Sequence, residues 1–257
     1  MLKNYFITAI NNLLKNKLHS AINIIGLAIG LTACILIMLF VKDELSYDKQ
    51  WEKADLIYRI NNEIRMGNNP AVKYSGSFPS LLPSLKKYFS DDIEFGTRIL
   101  KTIGEIYING VRYPVSVSKV DKDFVNIFQC EVHSGNLRNT LQNPNNIALN
   151  EELAVKYFGD RDPIGETIVF IPNYSPEIEY KVTAVYRFVS SNTTLDIPCF
   201  SLLNMTGMQA TNSSIMINGT YIRLSETANI EKINERLPDY IDRNIPPRTG
   251  RFHREKK

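Results

Sequence analysis

The chain has 257 residues, 44% of them apolar and 22% charged, with 13 glycines and 12 prolines. This composition excludes an intrinsically disordered, collagen-like or low-complexity protein, and the length allows one sizeable domain or two small ones with an appendage. The formal net charge of +3 comes entirely from the first 41 residues, which contain three lysines and no acidic residue.

The first twenty residues predict a basic amphipathic helix. Their apolar side chains recur at helical spacing, and lysines and asparagines fall mostly on the opposite side. The apolar positions are Leu2, Phe6, Ala9, Ile10, Leu13, Leu14 and Leu18. Such a helix binds the surface of the inner leaflet. The sequence leaves open whether it only anchors the chain or also contacts a cytoplasmic partner.

Residues 21–41 predict a transmembrane helix. The stretch from Ile22 to Val41 contains twenty residues without an ionisable side chain. At about 1.5 Å per residue it spans roughly 30 Å, the thickness of the hydrocarbon core of a bilayer. Lysines precede the span, and basic flanks stay on the cytoplasmic side. We therefore expect a cytoplasmic N-terminus, with residues from 43 onward outside the cytoplasm.

Two other kinds of targeting segment, a cleaved signal peptide and a lipoprotein signal, share features with this span. A cleaved signal peptide has an apolar core of about 7 to 15 residues and a small-x-small cleavage site, and residues 39–47 offer no such site. Leu31–Cys34 has the form of a lipobox, but seven apolar residues follow Cys34, where a lipoprotein normally begins a polar tether. The pattern favours an uncleaved anchor.

Small residues form one face of the predicted span. Gly26 and Gly30 make a G-x-x-x-G pair, and Ala33 continues the same face. Small residues let a second helix approach closely inside a membrane. We therefore expect Gly26, Gly30 and Ala33 to be helix-packing residues.

The part after the span predicts a mixed α+β fold. Asn109-Gly110 is expected to form a hairpin turn. The first predicted elements are a strand at 56–64, a helix at 79–89, and strands at 93–100, 106–108 and 112–120.

A second group of elements is expected from about Gly135. Gly159 is expected to cap a helix and Gly165 to need a positive φ. The elements are a strand at 146–149, a helix at 151–158, a turn at 163–165, strands at 167–171 and 180–189, extended chain at 195–203 and 220–224, and a helix at 230–241. We expect one domain over 42–245 with an inserted lobe at about 135–190, followed by a basic tail at 246–257.

No motif for catalysis, metal binding or cofactor binding is evident. The glycine-rich phosphate loops are missing, and His19, His133 and His253 are isolated from other ligand residues. Nucleic acid is not an expected partner, because basic residues do not cluster with aromatic ones. Cys130 and Cys199 are the two cysteines outside the span, and whether they form a disulfide stays open. The sequence therefore predicts no enzyme.

Several separate motifs resemble the MacB/FtsX-type ABC transporter permeases, in the order in which that family has them. The similarity extends over roughly residues 1–245. The motifs are Asn11–Lys17, Gly26–Gly30, Lys42–Asp48, Ala54–Ile60, Asp123–Gly135, Ala148–Ala154 and Phe158–Gly165.

The resemblance implies a membrane subunit without ATPase activity. Its periplasmic core would have a porter-like α/β-layer lobe with an inserted mixed α/β lobe, and it would move as a cytoplasmic ATPase opens and closes. Such proteins are located in the bacterial inner membrane and expel or extract lipids, lipoproteins, peptides or drugs. The implied partners are an ABC-type ATPase subunit, a second permease protomer or the remaining permease segment, a periplasmic adaptor or outer-membrane components, and membrane lipid.

This chain departs from the family pattern in having one span where the family continues into further membrane helices. We therefore expect a truncated or split permease. The alternative is a stand-alone single-pass protein whose extracytoplasmic domain binds a ligand or partner without transport.

Overall fold

A computed structural model describes residues 2–64, 70, 72–108, 110–189, 192–205 and 216–244. The chain forms two compact units, residues 1–47 and residues 48–257. The predicted basic tail at 246–257 and Asn109 of the predicted hairpin turn lie outside the described residues.

The first unit consists of two helices, α1 (Leu2–Lys15) and α2 (Lys17–Glu44). The amphipathic helix predicted for residues 1–20 therefore ends at Lys15, and α2 starts five residues before the apolar run. None of the α2 side chains is buried. By length and composition, α2 can cross a membrane.

The second unit, here called the sheet domain, contains eleven strands and five helices among its described residues. The helices are α3 (Leu81–Tyr88), α4 (Phe124–Ile127), α5 (Leu137–Thr140), α6 (Glu151–Phe158) and α7 (Ile230–Asn244). The strands are β1 (Ile57–Arg59), β2 (Asn62–Ile64), β3 (Val72–Tyr74), β4 (Ile93–Ile108), β5 (Val111–Val120), β6 (Cys130–Gly135), β7 (Asn146–Asn150), β8 (Thr167–Pro172), β9 (Ile178–Phe188), β10 (Cys199–Leu202) and β11 (Gly219–Leu224).

Nine of these strands form one sheet, and eight of them follow the order β1-β11-β4-β5-β10-β7-β9-β6. Strand β8 pairs with both β4 and β9, so β4, β5, β10, β7, β9 and β8 close into a ring. The β5–β10 and β7–β9 pairs are parallel, and the other pairs of this sheet are antiparallel. The strands between residues 130 and 188, β6 to β9, therefore belong to the same sheet as β4 and β5, which precede them in the chain, and β10, which follows them.

Three hydrophobic clusters form the core of the sheet domain. One draws on all six strands of the ring and on α6, and includes Ile106, Phe170 and Tyr180. A second packs α4 and α5 with Trp51. The third packs α3 and α7 against β4 and β11. At about 25 cal/mol per Å² of apolar surface, burial of these side chains is the main favourable contribution to folding.

Two strands predicted at 93–100 and 106–108 are a single strand, β4, of 16 residues. The gap between the two predicted strands, residues 101–105, contains Gly104, and glycine is a weak strand former. In the structure Gly104 allows β8 to approach closely, because a Cβ at this position would lie 2.3 Å from the carbonyl oxygen of Ile171. The glycine therefore marks a close strand contact and does not end the strand.

Several local predictions are confirmed. Strands β4 and β5 form a hairpin with Ile108 opposite Val111. Gly159 follows α6 with φ 62°, and its N–H bonds to the carbonyl of Val155. Helix α6 covers the predicted residues 151–158, and the structure adds an N-cap that was not predicted: the side chain of Asn150 accepts a hydrogen bond from the Leu153 N–H.

Other predicted boundaries were wrong. The strand predicted at 56–64 is two strands, β1 and β2, that lie in different sheets. Only Cys199–Leu202 of the extended stretch 195–203 is a strand. Pro79 precedes α3 and is not in its first turn, and its carbonyl accepts a hydrogen bond from Arg98 Nη1.

The turn at Gly165 provides a direct test of backbone geometry. Gly165 has φ +91° as predicted, and its N–H bonds to the carbonyl of Val182. A β-branched side chain is strained at positive φ, so we expect Gly165→Val to lower the free energy of unfolding by about 1–2 kcal/mol or more. Chemical unfolding of the purified full chain measures this change. Unaltered stability of the variant would contradict the requirement for glycine.

The α+β class is confirmed, with one apolar N-terminal helix followed by a sheet-rich domain. The limits of the inserted lobe, about 135 and 190, stay a prediction.

Candidate functional site

The strongest candidate site is the junction segment, defined as residues 48–60, which follows α2 in the chain. It contains both non-glycine residues found with positive φ in the described chain, Asp48 at 57° and Lys53 at 58°. Such conformations persist only where surrounding contacts hold them, and they are concentrated at functional sites.

Asp48 attaches the start of this segment to the loop that follows β9. Its carboxylate accepts hydrogen bonds from Thr193 Oγ1 at 2.7 Å, from the Thr194 N–H at 3.0 Å and from Thr194 Oγ1 at 2.5 Å. Its own N–H donates to the carbonyl of Asn192 at 3.1 Å. One side chain and one amide therefore fix the beginning of the segment.

These hydrogen bonds determine the acidity of Asp48. Partial burial alone would raise the pKa of its carboxyl group, but the hydrogen bonds from Thr194 and Thr193 together outweigh burial and hold the pKa below its usual value. The indole N–H of Trp51 adds a smaller lowering, although the two groups do not reach hydrogen-bond geometry. Asp48 is therefore ionised at neutral pH.

Trp51 anchors the middle of the junction segment in the core. Its side chain is 4% exposed. The ring packs edge to face against Phe128 at 5.3 Å and against Phe188 at 5.6 Å between centroids. Edge-to-face pairs add about 0.5–1.5 kcal/mol to the free energy gained by burial.

Backbone contacts fix the rest of the segment. The Glu52 N–H donates to Gln129 Oε1 at 2.9 Å, and the Ile60 N–H donates to the carbonyl of Thr220 at 2.9 Å. A short 3-10 helix at Ala54–Leu56 leads into β1, which pairs antiparallel with β11. The segment is therefore held at its start, middle and end.

A surface cavity of about 200 Å³ opens beside the segment. Its lining combines aromatic and aliphatic side chains with one carboxylate and one guanidinium. The lining residues are Asp48, Trp51, Ala54, Ile57, Arg59, Phe128, Thr194, Leu195 and Tyr221.

These contacts make the junction segment part of the sheet domain. A segment that is fixed to a packed domain by side-chain and backbone contacts moves with that domain. A flexible linker would absorb such motion, because it lacks these contacts.

The residues predicted to pack against another helix are all exposed on α2. Gly26 and Gly30 have open space where a Cβ would be, and Ala33 lies on the same helix. The packing role of Gly26, Gly30 and Ala33 stays a prediction.

Replacing both glycines tests this role. We expect Gly26→Leu with Gly30→Leu to weaken helix association in membranes by at least about fivefold, because bulky side chains separate the two backbones. Crosslinking of the full chain in native membranes measures the association. A variant with Leu27→Ala and Leu31→Ala serves as the control for a general change in α2, and equal crosslinking in all three proteins would exclude the small-residue face.

The described residues contain no group of three or more His, Cys, Asp or Glu side chains placed to hold a metal ion. The thiols of Cys34, Cys130 and Cys199 are free, so Cys130 and Cys199 do not form a disulfide in this structure. Burial raises the pKa of the Cys130 thiol to about 12 and that of the Cys199 thiol further still, which keeps both thiols protonated and unreactive.

The sequence did not identify the junction as a site, although its residues contributed to the family resemblance. The chain has a single tryptophan, and a lone Trp close after a membrane span is the feature that could have drawn attention to the segment. The partners Thr193 and Thr194 are 145 and 146 positions away from Asp48, which no local pattern reveals.

Comparison with known proteins gives one family and several similar folds. The fold resembles that of a domain of a protein named as a permease from Porphyromonas gingivalis, with TM-score 0.62 and 16% identity over 79% of this chain and 93% of that one. The periplasmic region of MacB from Actinobacillus actinomycetemcomitans has TM-score 0.49 and 13% identity over 63% and 72% of the two chains. The extracellular domain of the noncanonic ABC-type transporter YknZ from Gram-positive bacteria has TM-score 0.47 and 10% identity over 71% and 88%. No curated protein sequence matches the chain significantly.

The family profile described as the MacB-like periplasmic core domain matches residues 20–240. This range includes most of α2, the whole junction segment and all strands of the sheet domain. With its apolar N-terminal helix, the protein is membrane-anchored and carries an extracytoplasmic domain. The chain belongs to the family of MacB-like periplasmic core domains.

Proposed function

We propose that the chain acts as a membrane subunit of a MacB/FtsX-type ABC transporter, without ATPase activity of its own. The observation that carries this proposal is the family match over residues 20–240. The charge distribution supports an inner-membrane location with α1 in the cytoplasm, because the lysines before the span favour that side. The proposed transport is efflux or extraction of lipids, lipoproteins, peptides or drugs.

In the proposed mechanism, ATP hydrolysis by a cytoplasmic partner displaces α2, and the junction segment passes that displacement to the sheet domain. Asp48, Trp51 and β1 fix the segment to the domain at three points. Loosening one of these contacts would therefore reduce coupling without removing the ATPase from the complex. A second permease protomer or permease segment, an adaptor and outer-membrane components are further proposed partners.

The cavity beside the junction favours a second candidate, an anchored binding or adaptor domain without transport. This candidate requires the same fold but no ATPase. The two functions therefore differ in the proteins that accompany the chain in the membrane.

Affinity capture of the tagged full chain from solubilised membranes separates the two candidates. The permease role predicts an ABC-type ATPase among the co-purifying proteins, identified by mass spectrometry. If α1 contributes to the coupling surface, Leu13→Ser with Leu14→Ser reduces the captured ATPase several-fold, since both side chains are exposed.

Val155→Ser in α6 is the matched control, because Val155 is also an exposed apolar residue but lies in the sheet domain. It should leave capture unchanged. A wild-type chain that is stable in the membrane and never accompanied by an ATPase would overturn the permease role and leave the anchored binding domain.

A further inference from the structure

Lys53 adopts a backbone conformation that lysine takes rarely. Its φ of 58° lies in the left-handed region, which favours glycine, asparagine and aspartate. The other non-glycine residue of the described chain in this region, Asp48, is an aspartate whose side chain bonds to Thr193 and Thr194. A lysine at such a position costs free energy, so a contact of its side chain is expected to offset that cost.

The Lys53 ammonium makes this contact with the turn between β11 and α7. Its Nζ lies 2.7 Å from Glu226 Oε1. The hydrogen bond between them raises the pKa of Lys53 and lowers the pKa of Glu226, so both groups are ionised at neutral pH. The ion pair therefore links the junction segment to the turn from which α7 starts.

The ion pair belongs to a larger group of charges. An isolated pair with this exposure, 34% for Lys53 and 70% for Glu226, contributes little. Here Arg223 Nε lies 3.2 Å from Glu94 Oε2, and the Lys53 ammonium is attracted by Glu94. Arg223 is buried, with its guanidinium 4.6 Å from the centre of the Phe95 ring. A pair within a network that has such a fixed member contributes more than an isolated pair.

Apolar side chains of the junction segment support the same link. Leu56, Tyr58 and Ile60 pack against the hydrophobic cluster that contains α3 and α7. Trp51, earlier in the segment, belongs to the cluster that contains α4 and α5. The segment therefore lies between two parts of the core, and its contacts on the α7 side are both ionic and apolar.

We propose that Lys53 is a positioning residue that couples the junction segment to α7 through Glu226. The side chain accounts for lysine at this position, because the backbone alone favours glycine or asparagine. The inference deepens the proposed transport role and rests on it for its use: displacement that reaches the junction segment would then move α7 as well as β1.

Hydrogen exchange of the full chain in nanodiscs of phosphatidylcholine measures this coupling. The amides of Lys232 and Ile233 report on the start of α7, because both donate hydrogen bonds to Asn229. Lys53→Asn removes the ammonium and introduces a residue that adopts positive φ more readily. We expect these two amides to exchange about three- to fivefold faster in the variant than in the wild type.

Further variants separate the ion pair from a general change of the segment. Lys49→Asn is the matched control, because Lys49 is an exposed lysine of the same segment without an ion pair in the described chain. It should leave both amides unaffected. Exchanging the charges, with Lys53→Glu and Glu226→Lys together, should restore the wild-type rate to within about twofold.

Salt identifies the ionic origin of the effect. In about 1 M salt, where the Debye length is about 3 Å, the difference between the wild type and Lys53→Asn should shrink. Equal exchange in these two proteins, a charge-exchanged protein as fast as Lys53→Asn, or a difference that salt does not reduce would each overturn the proposal.

The exchange measurement requires no ATPase. Its failure would leave the proposed transport role in place, and failure of the capture experiment would leave the coupling of Lys53 to α7 as measured.

Discussion

Replacing Trp51 with alanine is expected to lower the free energy of unfolding of the sheet domain by about 3–5 kcal/mol. The indole is 4% exposed and packs against Phe128 and Phe188, so truncation removes a large buried side chain and leaves a cavity. Chemical unfolding of the full chain in detergent, followed by circular dichroism, measures the loss.

Two variants control this experiment. Trp51→Phe keeps an aromatic ring at the position and should lose less than half as much stability as Trp51→Ala. Tyr174→Ala should have almost no effect, because Tyr174 is an aromatic residue with 97% exposure. If Trp51→Ala unfolded within about 0.5 kcal/mol of the wild type, the size expected of a surface change, the anchoring role of Trp51 would be wrong.

Replacing Asp48 with alanine has the second largest expected effect, a loss of about 2–3 kcal/mol. The change removes an ionised acceptor of three hydrogen bonds from Thr193 and Thr194, and bonds to charged groups contribute about 1.5–3 kcal/mol each before exposure reduces the figure. Asp160→Ala, at an exposed position after α6, is the control for loss of a surface aspartate. Equal stability of wild type and Asp48→Ala would contradict the attachment.

The same carboxylate predicts a pH dependence of stability. The pKa of Asp48 is lower in the folded chain than its usual value, so the ionised form stabilises the fold above the unfolded pKa, and this contribution disappears as pH falls through the folded pKa. The stability difference between wild type and Asp48→Asn should thus be constant above about pH 5 and shrink below about pH 4. Parallel unfolding curves for the two proteins between pH 3 and 7 would argue against an ionised Asp48 in these contacts.

The sequence predicted elements that depend on local patterns. The apolar run that became α2, the capped helix α6 and the strong alternation in β9 were all evident from residue types and spacing. Gly165 was also predicted to need positive φ, which the structure confirms. Such features depend on interactions among residues close together in the chain.

Contacts between distant residues were beyond reach of the same reasoning. The closure of the ring through β8 depends on Gly104 lying beside Ile171, and the attachment of Asp48 depends on Thr193 and Thr194. A glycine inside a strand and an aspartate after a helix have many local explanations. Only the tertiary fold shows which long-range partner each one has.

Three features of the protein coincide at the junction segment. Its motif is part of the family resemblance, its residues border the cavity, and its contacts fix the sheet domain to the chain that emerges from α2. Under the proposed transport role, loss of Asp48 or Trp51 should impair coupling as well as stability. A milder change such as Trp51→Phe offers a way to alter the segment while the domain stays folded.

Hydrogen exchange of the junction segment in the full chain, held in nanodiscs, tests the central claim most directly. A rigid connection predicts that the amides of Asp48, Glu52 and Ile60, which are all hydrogen-bonded, exchange as slowly as those of the paired strand β11. Exchange of residues 48–60 at the rate of an exposed linker would contradict the account, because a flexible segment could not carry displacement from α2 to the sheet domain.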